Sequence, residues 1–104
     1  MRVVDAGDPW AALADPTRRA VLARVAECPR SVEQIAKTLP VSRPAVSQHL
    51  RVLTEANLVV GRREGRCRIY RIRLEGLQGP RAELERFWAQ TLENFKQIAE
   101  EAPT

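Results

Sequence analysis

The sequence predicts a mainly α-helical domain of about five helices carrying one small two-stranded β-hairpin. Three observations carry that prediction. Ser31 to Asn57 holds two short amphipathic helices joined by a very short connection. Leu58 to Leu74 switches to β-type patterning around a glycine-containing turn. Arg81 to about Glu100 repeats apolar residues at helical spacing with no glycine or proline inside. At 104 residues the chain suits one domain with a modest core and is too short for two, so residues 1–104 are expected to form a single unit.

The elements follow in order. Met1 to Asp8 has no pattern and is expected to be a loose tail. Pro9 to Leu13 suits one or two helical turns anchored by Trp10 and Leu13. Asp15-Pro16 is a strong helix start, an aspartate N-cap followed by proline at the first helical position. That helix should run to about Cys28, bury Val21, Leu22, Val25 and Ala26, keep Arg18 and Arg19 near its start, and stop at Pro29. Ser31 and Gln34 have capping-box spacing, and Val32, Ile35, Ala36 and Leu39 then form one apolar face before Pro40.

The next helix, Val41 to Asn57, organises the rest. Ser42 is its N-cap, Val41 and Val46 suit a hydrophobic staple, Pro44 falls in the first turn, and Asn57 can take the left-handed conformation that ends a helix. On a helical wheel Ala45, Val46, His49, Leu50, Val52, Leu53, Ala56 and Asn57 gather on one side. Arg43, Pro44, Ser47, Gln48, Arg51, Thr54 and Glu55 gather on the other. The first side wants a core. The second carries donors suited to phosphates and base edges in a DNA major groove. Two short helices in this arrangement make a helix-turn-helix pattern.

Leu58 to Val60 and Ile69 to Leu74 read as strands, with Tyr70, Ile72 and Leu74 alternating to one face. Between them, Gly61 to Arg66 forms the hairpin connection. Arg62, Arg63, Arg66, Arg68, Arg71 and Arg73 decorate the hairpin against one acid, Glu64. Lysine or glutamate would protect a sheet edge equally well, so near-exclusive arginine favours phosphate contact. A hairpin of this kind after a helix-turn-helix is a wing. Gly76 to Gly79 reads as a loop, and Gly79-Pro80 as the start of the last helix. Leu84, Phe87, Trp88, Leu92, Phe95 and Ile98 give that helix a broad apolar stripe, able to pack on its own domain or on a second copy. Ala102-Pro103-Thr104 should fray.

Charge and chemistry narrow the function. Seventeen basic residues against thirteen acids leave a net charge of +4, with bases crowding the middle of the chain and acids collecting from Glu83 onward. That balance suits an acidic partner. No apolar run suits a signal peptide or a membrane span, so the chain is expected to be cytoplasmic. Cys28 and Cys67 are not a close-spaced pair and are expected to be reduced, one a small apolar filler at a helix end and the other a strand residue. Two cysteines and one histidine fall short of the four ligands of a structural zinc, so no metal is expected. His49 and Ser47 stand two residues apart on a helix, so their side chains diverge and form no catalytic pair. With no glycine-rich phosphate loop and no paired carboxylates, the sequence reads as no enzyme and no cofactor carrier.

Three segments together resemble the ArsR family of bacterial winged-helix repressors. LADPTRRAVLARV, from Leu13 to Val25, is similar to the family's second helix. SVEQIAKTLPVSRPAVSQHLRVLTEANLV, from Ser31 to Val59, is similar to its helix-turn-helix, and GRREGRCRIYRI, from Gly61 to Ile72, to its wing. Pro40 and Asn57 depart from the pattern, standing where many relatives carry glycine. The resemblance implies a homodimer that represses transcription from a double-stranded DNA operator. Its first and last helices would form the interface, through Trp10, Leu84, Phe87, Trp88, Leu92 and Phe95. The DNA-contacting residues would be Ser42, Arg43, Ser47, Gln48, His49 and Arg51 on the recognition helix, with Arg62, Arg63 and Arg66 on the wing. Metal-sensing members carry a cysteine pair before the recognition helix, or Asp, His and Glu ligands on the last helix. Here Ser31 to Ala36 has no Cys or His and the last helix has no His, which implies the branch without a metal site. Two other readings compete: a winged-helix module for protein–protein assembly, and a thiol-responsive regulator.

Overall fold

Short polar side chains start the helices of this protein. In the computed structural model, which describes residues 7–101, Asp8 caps α1 (Pro9–Ala12) by accepting from the Trp10 amide. Asp15 caps α2 (Pro16–Glu27) by accepting from the Thr17 and Arg18 amides. Ser31 and Gln34 form the expected reciprocal capping box on α3 (Val32–Ala36). Ser42 accepts from the Ala45 amide at 3.3 Å and starts α4 (Arg43–Glu55). Each cap takes up backbone N–H groups that a helix start leaves unpaired. Strands β1 (Val59–Glu64) and β2 (Cys67–Ile72) pair antiparallel, and α5 (Glu75–Glu101) closes the described chain.

The core forms where α2, α3 and α4 meet the root of the hairpin. Val21, Leu22 and Val25 come from α2, Ile35 from α3, and Val46, Leu50 and Leu53 from α4. Leu58 and Val59 complete it as the chain leaves α4. The exit is a Schellman arrangement. Asn57 adopts φ 61°, the Leu58 amide donates to the Leu53 carbonyl, and the Asn57 amide donates to that of Thr54. Asparagine tolerates this left-handed conformation where glycine is commoner. Arg30 exchanges two backbone hydrogen bonds with Tyr70, at 3.1 and 2.8 Å, so the α2–α3 connection lies against β2.

Several boundaries differ from the sequence expectation, each for a physical reason. The Asp8 end of the expected tail is an N-cap, 9% exposed, while residues 1–6 and the expected fraying at 102–104 lie outside the described residues. Ala26 is exposed, because α2 turns only Val21, Leu22 and Val25 inward. Helix α3 ends at Ala36, ahead of Pro40, because the Ile35 carbonyl is taken by both the amide and the hydroxyl of Thr38. The connection to α4 is therefore residues 37–42, longer than expected. Asn57 turns outward. Leu58 lies just before β1, and Leu74 just after β2, 67% exposed. Cys28 is exposed at the end of α2, so it fills no core space.

The largest difference is the start of α5. Residues 76–79 are helical, and Pro80 lies inside the helix. Proline there gives up one hydrogen bond to the preceding turn. Two tertiary contacts hold that turn nonetheless. Leu77 packs against the core, and Gly76 lies so close to the Asn57 carbonyl that a Cβ would overlap it. From there α5 runs on with no buried residue, leaving Leu84, Phe87, Trp88, Leu92, Phe95 and Ile98 45–71% exposed. Leu84 and Phe87 line a cleft with Trp10 of α1, and the rest of the apolar stripe does not pack on its own domain.

Candidate nucleic-acid interface

The wheel drawn for α4 matches its burial. Val46, Leu50 and Leu53 are buried, while Arg43, Ser47, Gln48 and Arg51 are exposed along the other side. Ser42 is exposed at the start of the helix, its oxygen engaged in the cap. Arg51 reaches Glu55 at 3.5 Å on the same face, so the acid offsets charge only toward the C-terminal end. His49 is half-buried, and its Nδ1 is buried with no hydrogen-bond partner among the described residues. It lies on the apolar side of α4, where the wheel put it.

The hairpin stands beside this face. Its connection is Gly65-Arg66, with Gly65 at φ 64°, the left-handed value a two-residue turn needs at its first central position. That turn fixes the register: Arg63 lies opposite Arg68, Gly61 opposite Tyr70, and Val59 opposite Ile72. Partners across an antiparallel pair share one side, and successive residues alternate sides. Arg63, Arg68 and Tyr70 therefore share one face with the core-packed Ile72, and Arg62, Glu64 and Arg71 share the other. On that second face Arg71 donates to Glu64 at 2.6 Å. This hydrogen bond is the main cause of a lowered Glu64 pKa, with the Arg71 and Arg62 charges adding to it. Arg66 is exposed at the tip.

Between α4 and the hairpin runs an open groove lined by Ser47, Arg51, Thr54 and Glu55 on one wall and Val60, Gly61, Arg68 and Tyr70 on the other. Gly61 makes this wall possible, since a Cβ there would lie 2.8 Å from the Tyr70 ring. The exposed side of α4 and one face of the hairpin thus form a single continuous surface rich in hydrogen-bond donors. Such a surface can meet phosphate oxygens and base edges together.

A helix-turn-helix domain model matches residues 13–62, the span from the end of α1 into the hairpin. A solved ArsR-like transcriptional regulator from Rhodococcus sp. RHA1 is 36% identical, with a TM-score of 0.71 over 89% of this chain and 91% of that one. The HTH-type transcriptional regulator Rv2034 of Mycobacterium tuberculosis is 49% identical over 89 residues, 86% of this chain and 83% of the relative. This chain belongs to the ArsR family. It is a winged helix-turn-helix, DNA-binding transcriptional regulator, and α4 lies within the matched helix-turn-helix span. The ArsR fold also matches a homodimeric winged helix-turn-helix DNA-binding domain, Mb0332 from Mycobacterium bovis. The two share 28% identity, and the TM-score is 0.60 over 91% of this chain and 82% of that one.

The structure brings most of the expected residues of this ArsR-family chain into two places. Ser42, Arg43, Ser47, Gln48 and Arg51 line up along α4, with the wing arginines alongside. Trp10, Leu84 and Phe87 meet in a cleft between α1 and α5, where the Trp10 indole N–H donates to Glu83. Trp88, Leu92 and Phe95 continue the apolar strip along α5. Sequence reasoning counted Arg68 among the wing's arginines without naming it as a DNA contact, and took Tyr70 as an apolar strand residue. Placing the turn at Gly65-Arg66 would have shown Arg68 opposite Arg63. No signal in the sequence put Tyr70 against the groove. Among the described residues no three of His, Cys, Asp and Glu gather to hold a metal ion, and no helix is long and apolar enough to cross a membrane.

Proposed function

We infer that this ArsR-family regulator is a homodimeric repressor that binds an inverted-repeat operator in the cytoplasm. One observation carries the reading: α4 buries Val46, Leu50 and Leu53 in the core while keeping Arg43, Ser47, Gln48 and Arg51 exposed beside the wing. Recognition helices read base edges mainly through their N-terminal half, and phosphate contacts fix their register. The exposed strip of α5 supports pairing with a second copy through Trp10, Leu84, Phe87, Trp88, Leu92 and Phe95. A twofold dimer presents its two recognition helices to successive major grooves, about 34–36 Å apart, which requires a symmetric site. The chain works as a binding protein, with no catalytic group, cofactor or metal assigned a role. A protein–protein module would not need donors concentrated on both α4 and the wing.

The experiment is selection of bound sequences from a random DNA pool, followed by a gel shift at physiological salt. An enriched inverted repeat is the expected result. No preference for any duplex over random DNA would sink the repressor reading. The exposure of both Cys28 and Cys67 favours a second reading, a thiol-responsive repressor. Operator affinity that oxidation leaves unchanged would remove it, and a response that persists in a Cys28→Ser, Cys67→Ser double variant would remove these cysteines from it.

A further inference from the structure

Helices α1 and α5 enclose a hollow of about 350 Å³, lined by Trp10, Glu83, Leu84 and Phe87. That volume falls within the range of small-molecule sites. Two of the four lining residues are aromatic, and the face of such a ring carries negative potential. Phe87 meets Trp88 edge-to-face, with ring centroids 5.7 Å apart, a contact that restrains its ring. The Trp10 indole N–H donates to Glu83 Oε2 at 2.5 Å and holds the carboxylate beside the rings. The second oxygen, Oε1, has no partner among the described residues. No basic residue is part of this lining; Arg86 lines a neighbouring hollow with Pro9, Trp10 and Pro80.

We propose that this hollow binds a small organic cation, of the quaternary ammonium class with an apolar substituent. Trp10 and Phe87 flank the positive centre, Glu83 balances its charge, and Leu84 covers the apolar part. Aromatic rings attract a cation through their quadrupole, most strongly where water is excluded. The carboxylate decides the sign of the ligand. An anion would meet it as a like charge, and an uncharged apolar molecule would strip water from it with nothing in return. Trp88, Leu92 and Phe95 continue the strip outside this lining and remain for a second copy. The site is independent of the DNA-binding reading, and its test needs no DNA.

The test titrates the full chain with benzyltrimethylammonium and with neopentylbenzene, its uncharged carbon isostere. The readout is the Trp10 indole N–H resonance, told apart from that of Trp88 with a Trp88→Phe variant. The cation should shift it saturably and bind at least about fivefold tighter than the isostere, as one cation–π contact implies. Glu83→Gln keeps an acceptor for the indole but removes the charge, and should abolish that preference. Phe87→Leu keeps an apolar wall without the ring, and should narrow it. Glu85→Gln should leave it unchanged, since Glu85 accepts from Arg81 and is not part of the lining. Equal binding of the two probes would make the hollow a plain apolar groove and overturn the proposal. So would a preference that survives Glu83→Gln, or the absence of any saturable shift. Cation binding that disappears as protein concentration rises, with sedimentation showing association over the same range, would assign the hollow to a second copy instead.

Discussion

Gln48 is exposed in the N-terminal half of α4, one turn after Pro44. A glutamine amide offers one donor and one acceptor, the pattern that pairs bidentately with adenine, and each such pair discriminates by about 1–3 kcal/mol. Gln48→Ala should therefore relax base preference at one symmetric pair of operator positions and leave random-DNA affinity nearly unchanged. Repeating the sequence selection with the variant checks this; a return of the parent's preferences at every position would move the reading role to Arg43 or Arg51. Asp15 makes a different residue-scale prediction. The Arg18 amide, then the Thr17 amide and the charges of His49 and Arg18, hold its pKa below the ordinary carboxylate value. The folded chain thus holds the Asp15 proton less tightly than the unfolded chain. The stability from this cap is in place above about pH 4 and is lost as pH falls through the lowered folded value. Asp15→Ala should lower the thermal midpoint at neutral pH, and the gap to the parent should narrow in acid. A gap that stays constant from pH 7 to about pH 3 would contradict that cause.

At the scale of elements, the docking of α5 depends on one close approach. Gly76 rests on the Asn57 carbonyl, and Asn57 is the residue that ends α4. A methyl group at Gly76 must push two backbone segments apart, and overpacking of this kind costs about 1–3 kcal/mol. Gly76→Ala should lower stability by that order in urea unfolding, whereas Gly79→Ala, which meets nothing within 4 Å, should be neutral or slightly stabilising. Equal effects of the two would mean that the first turn of α5 is not held against α4. The same junction explains why a glycine-rich, proline-containing segment is helical. Propensity disfavours a helix there, and the packing of Leu77 on the core outweighs it.

The whole molecule is too extended to be complete in its packing. Its radius of gyration is 18.1 Å, against about 13 Å for a compact 100-residue domain. The cause is α5, whose 27 residues form a rod about 40 Å long with no buried residue. Covering a phenylalanine or leucine side chain stabilises by about 1.5–3 kcal/mol, and the strip offers several. A second copy is the partner that the proposed symmetric operator requires. Trp88→Glu should weaken self-association and DNA binding together, measured by sedimentation and gel shift. An intact dimer in that variant would place the interface elsewhere.

Local patterns alone determined the starts of α2, α3 and α4, the α4 faces and the existence of the wing. Caps, proline at the first turn and 3.6-residue periodicity act over a few neighbouring residues, so Asp15, Ser31, Ser42 and Asn57 could be read without a fold. The donor face of α4 was legible for the same reason: its burial pattern follows from its own period. Tertiary structure decided what depends on residues far apart in the chain. It placed the start of α5 at Glu75, because Gly76 and Leu77 meet α4 and the core. It left most of the α5 strip exposed, Trp88, Leu92 and Phe95 included, a choice the breadth of the stripe did not settle. It also set Arg68 and Tyr70 against the groove beside α4, because a hairpin side is set by register, and register by the one turn at Gly65-Arg66.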